Sequence, residues 1–506
     1  MTPAPSAPRV ALTSHPAPGG QVVSGPALSG RQLSRLVGPV QTDGRPLYDA
    51  LAEQLRLLVV DGRVADGTRL PSERELAEAL GVSRTTTTRA YATLRDADLV
   101  VSRRGSGSVV RVPFAATGAS SLIIDPGEGD AVALTYAAPS GPPGLARAVE
   151  AAAGKACHLF STSGYLPDGL PALRELIAQR YRARGLPTDP DQVIVTSGAM
   201  GALSLIARTV LTPGDRMVVE AMSYPHAHEA FVAAGARLSA LPVAETPWDL
   251  EAMEAVLRAG RHRAAYLIPE FHNPTSLVMD DDARRTVARL LRRHDVLPIV
   301  DESLREVNLD GIELPESLAV HDPRTVLVGS SSKEFWGGLR VGWIRAPRPL
   351  VTALVQHRMA DDLGSSAFDQ LVLVELLEEG GQTAAAGRAR SRAARDHLLA
   401  ELAEHLPDLT VACPAGGLNL WAELPRPVSS RLVAAAARHG LLLTPGPRFV
   451  TGGSRIGERR LRLPYTQSPE RLTEAVLRLR RAWDDVEGAR SAPHEAERSG
   501  TLDLIA

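Results

Sequence analysis

The sequence predicts an α/β protein in two parts: a small N-terminal unit of short helices closed by a two-stranded ribbon, and a larger domain built on a mostly parallel sheet. Three observations lead there. The chain, at 506 residues, is too long for one hydrophobic core. Between Pro46 and Val112 apolar residues recur at helical spacing, then give way to two short apolar runs around a glycine turn. Beyond Pro139 short apolar runs alternate with amphipathic stretches, the pattern of strands joined through helices.

Hydrophobic residues make up 44% of the chain and charged residues 23%, the balance of a folded protein with a polar surface. No apolar run approaches the length that spans a bilayer, and Met1-Thr-Pro-Ala-Pro lacks the basic and apolar regions of a signal peptide. A cytoplasmic location and no membrane partner are therefore expected. Cys157 and Cys413 stand apart without metal-ligand spacing, which argues against a disulfide framework and against a metal site. The net charge of −2 carries no global signal for nucleic acid, but its local distribution does.

Residues 1–45, rich in Pro, Ala, Gly and Ser, read as a largely disordered extension in which residues 28–36 are spaced for a short helix. Leu47, Leu51, Leu55, Leu58 and Val59 then share one face of a first helix that stops at Asp61-Gly62. In Leu70-Pro-Ser-Glu-Arg-Glu-Leu-Ala-Glu-Ala-Leu-Gly81, Ser72 and Glu75 form a capping box and Gly81 a C-terminal stop, which defines a second helix. Ser83 caps a third, with Ala90, Tyr91 and Leu94 inward and Arg84, Thr85, Thr86, Thr88 and Arg89 outward. Two helices on a tight glycine turn form a helix-turn-helix, and residues 99–112 add two strands around a basic turn, a wing. From Ser83 to Val112 six arginines face two aspartates, a net of +4 suited to phosphates. The bland alternative is a three-helix domain with a solvated arginine face.

The motifs Leu70-Pro-Ser-Glu-Arg74, Val82-Ser-Arg-Thr85 and Arg104-Gly-Ser-Gly107, in that order, resemble the winged helix-turn-helix of the GntR family of bacterial regulators over residues 46–112. The resemblance implies contact with double-stranded DNA through Ser72, Arg74, Ser83, Arg84, Thr85, Arg89, Arg103, Arg104 and Gly105.

Residues 113–139 read as a linker and residues 140–485 as the large domain, followed by a polar tail, 486–506. Within the domain, residues 192–197 form a strand that runs into Gly198-Ala199 and a helix, a step whose backbone amides offer an anion site. Residues 217–220 form another strand, which leads to Tyr224, either a ring for stacking on a planar cofactor or a buried core tyrosine. The strands 264–269 and 296–300 end near Asn273 and at Asp301, and a carboxylate at a buried strand end is costly unless paired. For each of these a structural cap is the alternative.

Lysines are few, and one of them, Lys333, follows an apolar strand and three serines and precedes the glycine turn Gly337-Gly-Leu-Arg340. A desolvated amine there loses its proton and attacks an aldehyde, and an imine with pyridoxal phosphate is the commonest use of that chemistry. Ser330, Ser332 and Arg340 supply hydroxyls and a fork for a phosphate. A surface lysine in a Ser/Gly loop is the alternative.

Together these pieces resemble the fold-type I pyridoxal-phosphate-dependent aminotransferases over residues 140–485. The resemblance implies Lys333 as the imine lysine, Asp301 on the pyridine nitrogen, Asn273 on the ring oxygen and Tyr224 as the stacking ring. It places Gly198, Ala199, Ser330 and Arg340 around the phosphate and assigns Tyr165 to the phosphate of a partner subunit. Arg462, in Arg460-Leu-Arg-Leu-Pro-Tyr465, matches the arginine that grips an amino-acid carboxylate. Two departures stand out: Ser303 occupies the place of a tyrosine that touches the ring oxygen, and Ser276 replaces the glycine after Asn-Pro-Thr.

A GntR-like unit joined to an aminotransferase-like domain resembles the MocR-type regulators. That resemblance implies a homodimer that binds promoter DNA and senses an amino compound or pyridoxal phosphate itself. An active aminotransferase with an accessory DNA-binding module is the main alternative. A third reading, regulation through DNA alone with an empty pocket, sits badly with intact Lys333, Asp301 and Arg340.

Overall fold

The computed structural model describes residues 27–40, 42, 44–60, 63–64, 67–97, 99–103, 107–110, 131–242, 247–451 and 455–491. It divides into two compact units.

In the first unit the helices are α1 (Gly30–Val37), α2 (Leu47–Val60), α3 (Glu73–Leu80) and α4 (Arg84–Asp96), followed by the antiparallel pair β1 (Val100–Arg103) and β2 (Gly107–Val110). Gly81 takes the left-handed conformation that ends α3, as its sequence position foretold. Leu51, Leu55, Leu76, Tyr91, Leu94 and Val110 close one core. The extension read as largely disordered reaches into this unit: α1 is capped by Ser29 and buries Leu33 and Val37 in the same core.

The large unit holds a seven-stranded sheet in the order β4-β10-β9-β8-β7-β5-β6. Its strands are β4 (Val193–Thr196), β5 (Arg216–Val219), β6 (Arg237–Ala240), β7 (Ala264–Leu267), β8 (Leu297–Asp301), β9 (Val326–Ser330) and β10 (Gly342–Arg345). All run parallel except β10, which lies antiparallel between β4 and β9. Both faces are covered, so successive residues of one strand serve different cores: Val193 and Val195 pack on one side and Ile194 on the other. That is why these strands read as continuous apolar runs.

A second sheet orders β11 (Asn419–Glu423), β13 (Arg460–Pro464), β12 (Leu441–Pro445) and β3 (Val132–Leu134). The strand β3 lies inside the stretch read as linker, so the domain's own structure begins before residue 140. At the other end the helix Pro469–Ser491 runs past residue 486 and buries Val486, so the polar tail begins later than expected.

Candidate functional site

Two surfaces carry the chemistry, one on each unit. In the first, Ser72 and Ser83 accept from Glu75 N at 3.2 Å and Thr86 N at 3.1 Å, so these hydroxyls act as helix caps. The expected capping box is only half made, because the Glu75 carboxylate turns away to accept from Gly30 N at 2.7 Å. Tyr91 donates to the Pro71 carbonyl at 3.0 Å and pins α4 beneath the turn that starts α3. Arg74, Arg84, Thr85 and Arg89 are exposed, with the Arg89 guanidinium 5.2 Å from the Tyr48 ring centre. Thr86 and Thr88 are less outward than expected: both are half-buried, and Thr88 Oγ1 donates to Glu73 at 2.7 Å. Arg103 ends β1, its side chain lies outside the described residues, and so do Arg104 and Gly105.

In the large unit the site collects at the C-terminal ends of the parallel strands, where side chains leave the sheet beside helix N-termini. β8 ends in Asp301, β9 in Ser330, and β4 leads through Ser197 into the helix Gly198–Val210. The Lys333 amine is half-buried and donates to the Ala137 carbonyl at 2.7 Å. Burial, helped by the nearby Arg462 charge, pushes it down to about 8. An amine so placed gives up its proton about two pH units earlier than an ordinary lysine, which enlarges the neutral fraction that a nucleophile needs.

Asp301 is buried and accepts from Tyr266 Oη and from the Ser303 amide, each at 2.9 Å. Burial raises its carboxyl, against the pull of those donors. Ser303 thus serves Asp301 through its backbone. Tyr224 caps the helix Pro225–Ala233 and is pushed up to about 12 by burial, with the Asp301 charge adding to it. Arg340, itself left-handed, donates from Nη2 to the Ser197 carbonyl at 3.0 Å. A Cβ on Gly198 would lie 2.8 Å from that nitrogen, so glycine at this turn leaves the fork its place over the first amides of the helix. Ser330 Oγ accepts from Ser332 N at 3.2 Å, while the buried Ser332 hydroxyl has no hydrogen-bond partner among the described residues.

Arg462 is buried, stacks 4.6 Å from the Phe449 ring centre and donates to the Thr135 carbonyl at 2.5 Å and to Asn273 Oδ1 at 3.5 Å. Its Nε is buried with no hydrogen-bond partner among the described residues, and burial pushes the guanidinium down to about 10. Ser276 keeps the left-handed backbone that suits glycine, with φ +58°, and its hydroxyl donates to the Asn419 carbonyl at 2.9 Å. Tyr165 stands apart from this cluster, 66% exposed.

Sequence reasoning missed Tyr266 and a second buried carboxylate, Glu220. The latter accepts from Trp248 Nε1 at 2.7 Å, Ser223 Oγ at 2.8 Å and Ile268 N at 2.9 Å. Burial works to raise it, yet His272 beside it and these donors hold it below the usual range. The signal was available: Glu220 is the first residue after β5, much as Asp301 is the last of β8. These residues fit a phosphorylated aromatic aldehyde. The unpartnered donors Ser332 Oγ and Arg462 Nε, the glycine cradle at Gly198, the depressed Lys333 amine and the carboxyl at Asp301 each answer one part of it.

Comparison with known proteins agrees. Residues 139–479 match the family described as aminotransferase class I and II, and residues 47–110 match the bacterial regulatory proteins of the gntR family. The chain is 32% identical over 330 residues to 2-aminoadipate transaminase of Thermus thermophilus, covering 63% of this chain and 80% of that protein. It is 28% identical over 430 residues to the probable rhizopine catabolism regulatory protein MocR of Rhizobium meliloti, covering 78% and 85%. Among solved structures, LysN, the α-aminoadipate aminotransferase of Thermus thermophilus complexed with N-(5'-phosphopyridoxyl)-L-leucine, superposes with a TM-score of 0.64 at 29% identity, covering 71% of this chain and 93% of that one.

Proposed function

The chain belongs to the aminotransferase class I and II family and carries a GntR-type unit ahead of that domain, and from this we propose that it is a pyridoxal-phosphate-dependent transcriptional regulator of the MocR type. The observation that carries the reading is the Lys333 amine, depressed to about 8 and set among Asp301, Arg340 and Arg462, on a chain whose first unit displays Arg84, Thr85 and Arg89.

When bound, pyridoxal phosphate supplies an aldehyde open to amines and a ring that withdraws electrons from what is attached to it. The protein's part is positioning. Lys333 presents the amine, and Asp301, held by Tyr266 and the Ser303 amide, would pair with the ring nitrogen and favour a proton there. Arg340, Ser330, Ser332 and the first amides of the helix Gly198–Val210 would hold the phosphate. Tyr224 would stack on the ring, Asn273 would bond its oxygen, and the Arg462 fork would take the carboxylate of an amino compound. The effector is such a compound or the cofactor itself, and its differential affinity for two domain arrangements shifts promoter binding, typically by 1–3 kcal/mol.

We infer a homodimer, which would present two winged helices to two half-sites. The exposure of Tyr165 supports it, since that ring stands open to a partner subunit. Among the described residues no helix is long and apolar enough to cross a membrane.

Arg462 beside Asn273 favours one second reading, an enzyme that turns over amino acids. The test is the spectrum and DNA affinity of the full-length protein with pyridoxal phosphate, before and after a panel of amino acids. A visible band absent in Lys333→Ala, with DNA affinity that follows the ligand, supports the regulator. Rapid loss of the band with release of a keto acid, and DNA affinity indifferent to ligand, supports the enzyme. No band in either protein overturns both.

A further inference from the structure

The matched GntR-type segment starts at residue 47, yet ten residues earlier the chain already forms part of the same unit. Ala27 pairs in parallel with Arg69, which in turn bridges Val109 of β2, so the arm adds to the base of the wing. From there α1 runs alongside α3 in the same direction. Gly30 N donates to Glu75 at 2.7 Å and, one turn later, Ser34 Oγ donates to the Ala79 carbonyl at 3.0 Å. The approach at Gly30 is close enough that a Cβ there would lie 2.6 Å from the Glu75 carbonyl oxygen. Leu33 and Val37 fill the core. What remains outward on α1 is Gln32 and two arginines, Arg31 and Arg35, one turn apart, on a stretch (residues 27–40) without an acidic residue.

The acids of the adjoining helix are already engaged. Glu73 takes Thr88 and Arg95, Glu75 takes Gly30 N, and Glu78 lies 4.0 Å from Arg74. Neither Arg31 nor Arg35 has a carboxylate partner among the described residues. The helix that carries these two guanidiniums packs along α3, which bears Arg74, and the residue pairing that leads into it, Ala27 with Arg69, adjoins the base of the wing.

We propose that α1 is a fourth DNA-contacting element, in which Arg31 and Arg35 bind backbone phosphates flanking the site met by α4 and the wing. This rests on the DNA-binding reading of the first unit. Phosphates carry no sequence information, so the contribution is to affinity and to its salt dependence.

The experiment titrates the full-length protein onto a mixed-sequence DNA duplex by fluorescence anisotropy across a range of salt concentrations. Loss of two phosphate contacts in R31A/R35A lowers the slope of log K against log salt by up to about 1.8 and weakens binding at low salt. R31K/R35K keeps the slope near the parent's, and R56A, whose guanidinium is forked onto Glu53, leaves it unchanged. A double-alanine variant with the parent's slope and affinity overturns the proposal while leaving the DNA-binding reading intact. So does a loss that the lysine variant shares and that comes with a lowered melting temperature, because the arginines would then act on the fold. A parent protein without affinity for duplex DNA overturns both.

Discussion

Tyr266, inside β7, donates to Asp301 Oδ2 on the neighbouring strand at 2.9 Å, so the carboxyl at the floor of the pocket is oriented from within the sheet. Removing that donor strands a buried acceptor, which costs about 1–3 kcal/mol. Tyr266→Phe is expected to unfold at lower urea concentration by that amount. It should also bind pyridoxal phosphate roughly tenfold more weakly, a factor worth about 1.4 kcal/mol. Equilibrium unfolding and a spectral titration read the two effects separately.

The Lys333 amine sits at about 8 where an ordinary lysine sits at 10.5. Below pH 8 the amine is protonated and cannot attack, so the rate of cofactor capture should rise about tenfold per pH unit and flatten above pH 8. Capture by an unperturbed lysine would go on rising to about 10.4. The other lysine, Lys155, is exposed and bonded to Glu375 at 2.5 Å, which raises its amine. It should not substitute, so Lys333→Ala loses the visible band at every pH in a stopped-flow absorbance series.

Gly198→Ala puts a Cβ within 2.8 Å of Arg340 Nη2 at a backbone with φ +75°. The arginine end can shift, but only away from the first amides of the helix, and the backbone strain costs on the order of 1 kcal/mol. Affinity for pyridoxal phosphate should fall at least tenfold while the DNA-binding unit, which does not contain this turn, melts as before. Calorimetry with and without cofactor measures both.

Ser276 separates two opposing terms. Its left-handed backbone suits glycine, and its hydroxyl bond to Asn419 offsets the strain. Ser276→Gly relieves the strain and loses the bond, for little net change, whereas Ser276→Ala keeps the strain and loses the bond. The alanine variant should be about 1 kcal/mol less stable than the parent and the glycine variant within about half that, by thermal unfolding.

Local signals made much of this molecule legible. Ser72, Gly81 and Ser83 set the ends of α3 and α4 because caps act within one turn, and the buried strands announced themselves by unbroken apolar runs. Lys333 and Asp301 were singled out because charged groups beside such runs are conspicuous, and Arg462 because its segment resembles the family's carboxylate-binding one. What escaped was decided by distant partners. β3 is three residues long and exists because Leu441 to Leu443 pair with it in parallel. α1 lies in a stretch of Ala, Pro, Ser and Gly, and its place depends on Glu75, a residue whose spacing from Ser72 pointed to a capping box. Tyr266 looked like one more apolar residue of a core strand, because nothing in its own strand reveals that Asp301 lies beside it.

The two carbonyls that hold the site's cations, Ala137 for Lys333 and Thr135 for Arg462, follow closely on β3. A ligand that claims the amine or the fork takes it from this length of main chain. The main chain after β3 and the contents of the pocket therefore compete for the same protons, and filling the pocket would release one or both of these carbonyls while β3 stays paired with β12.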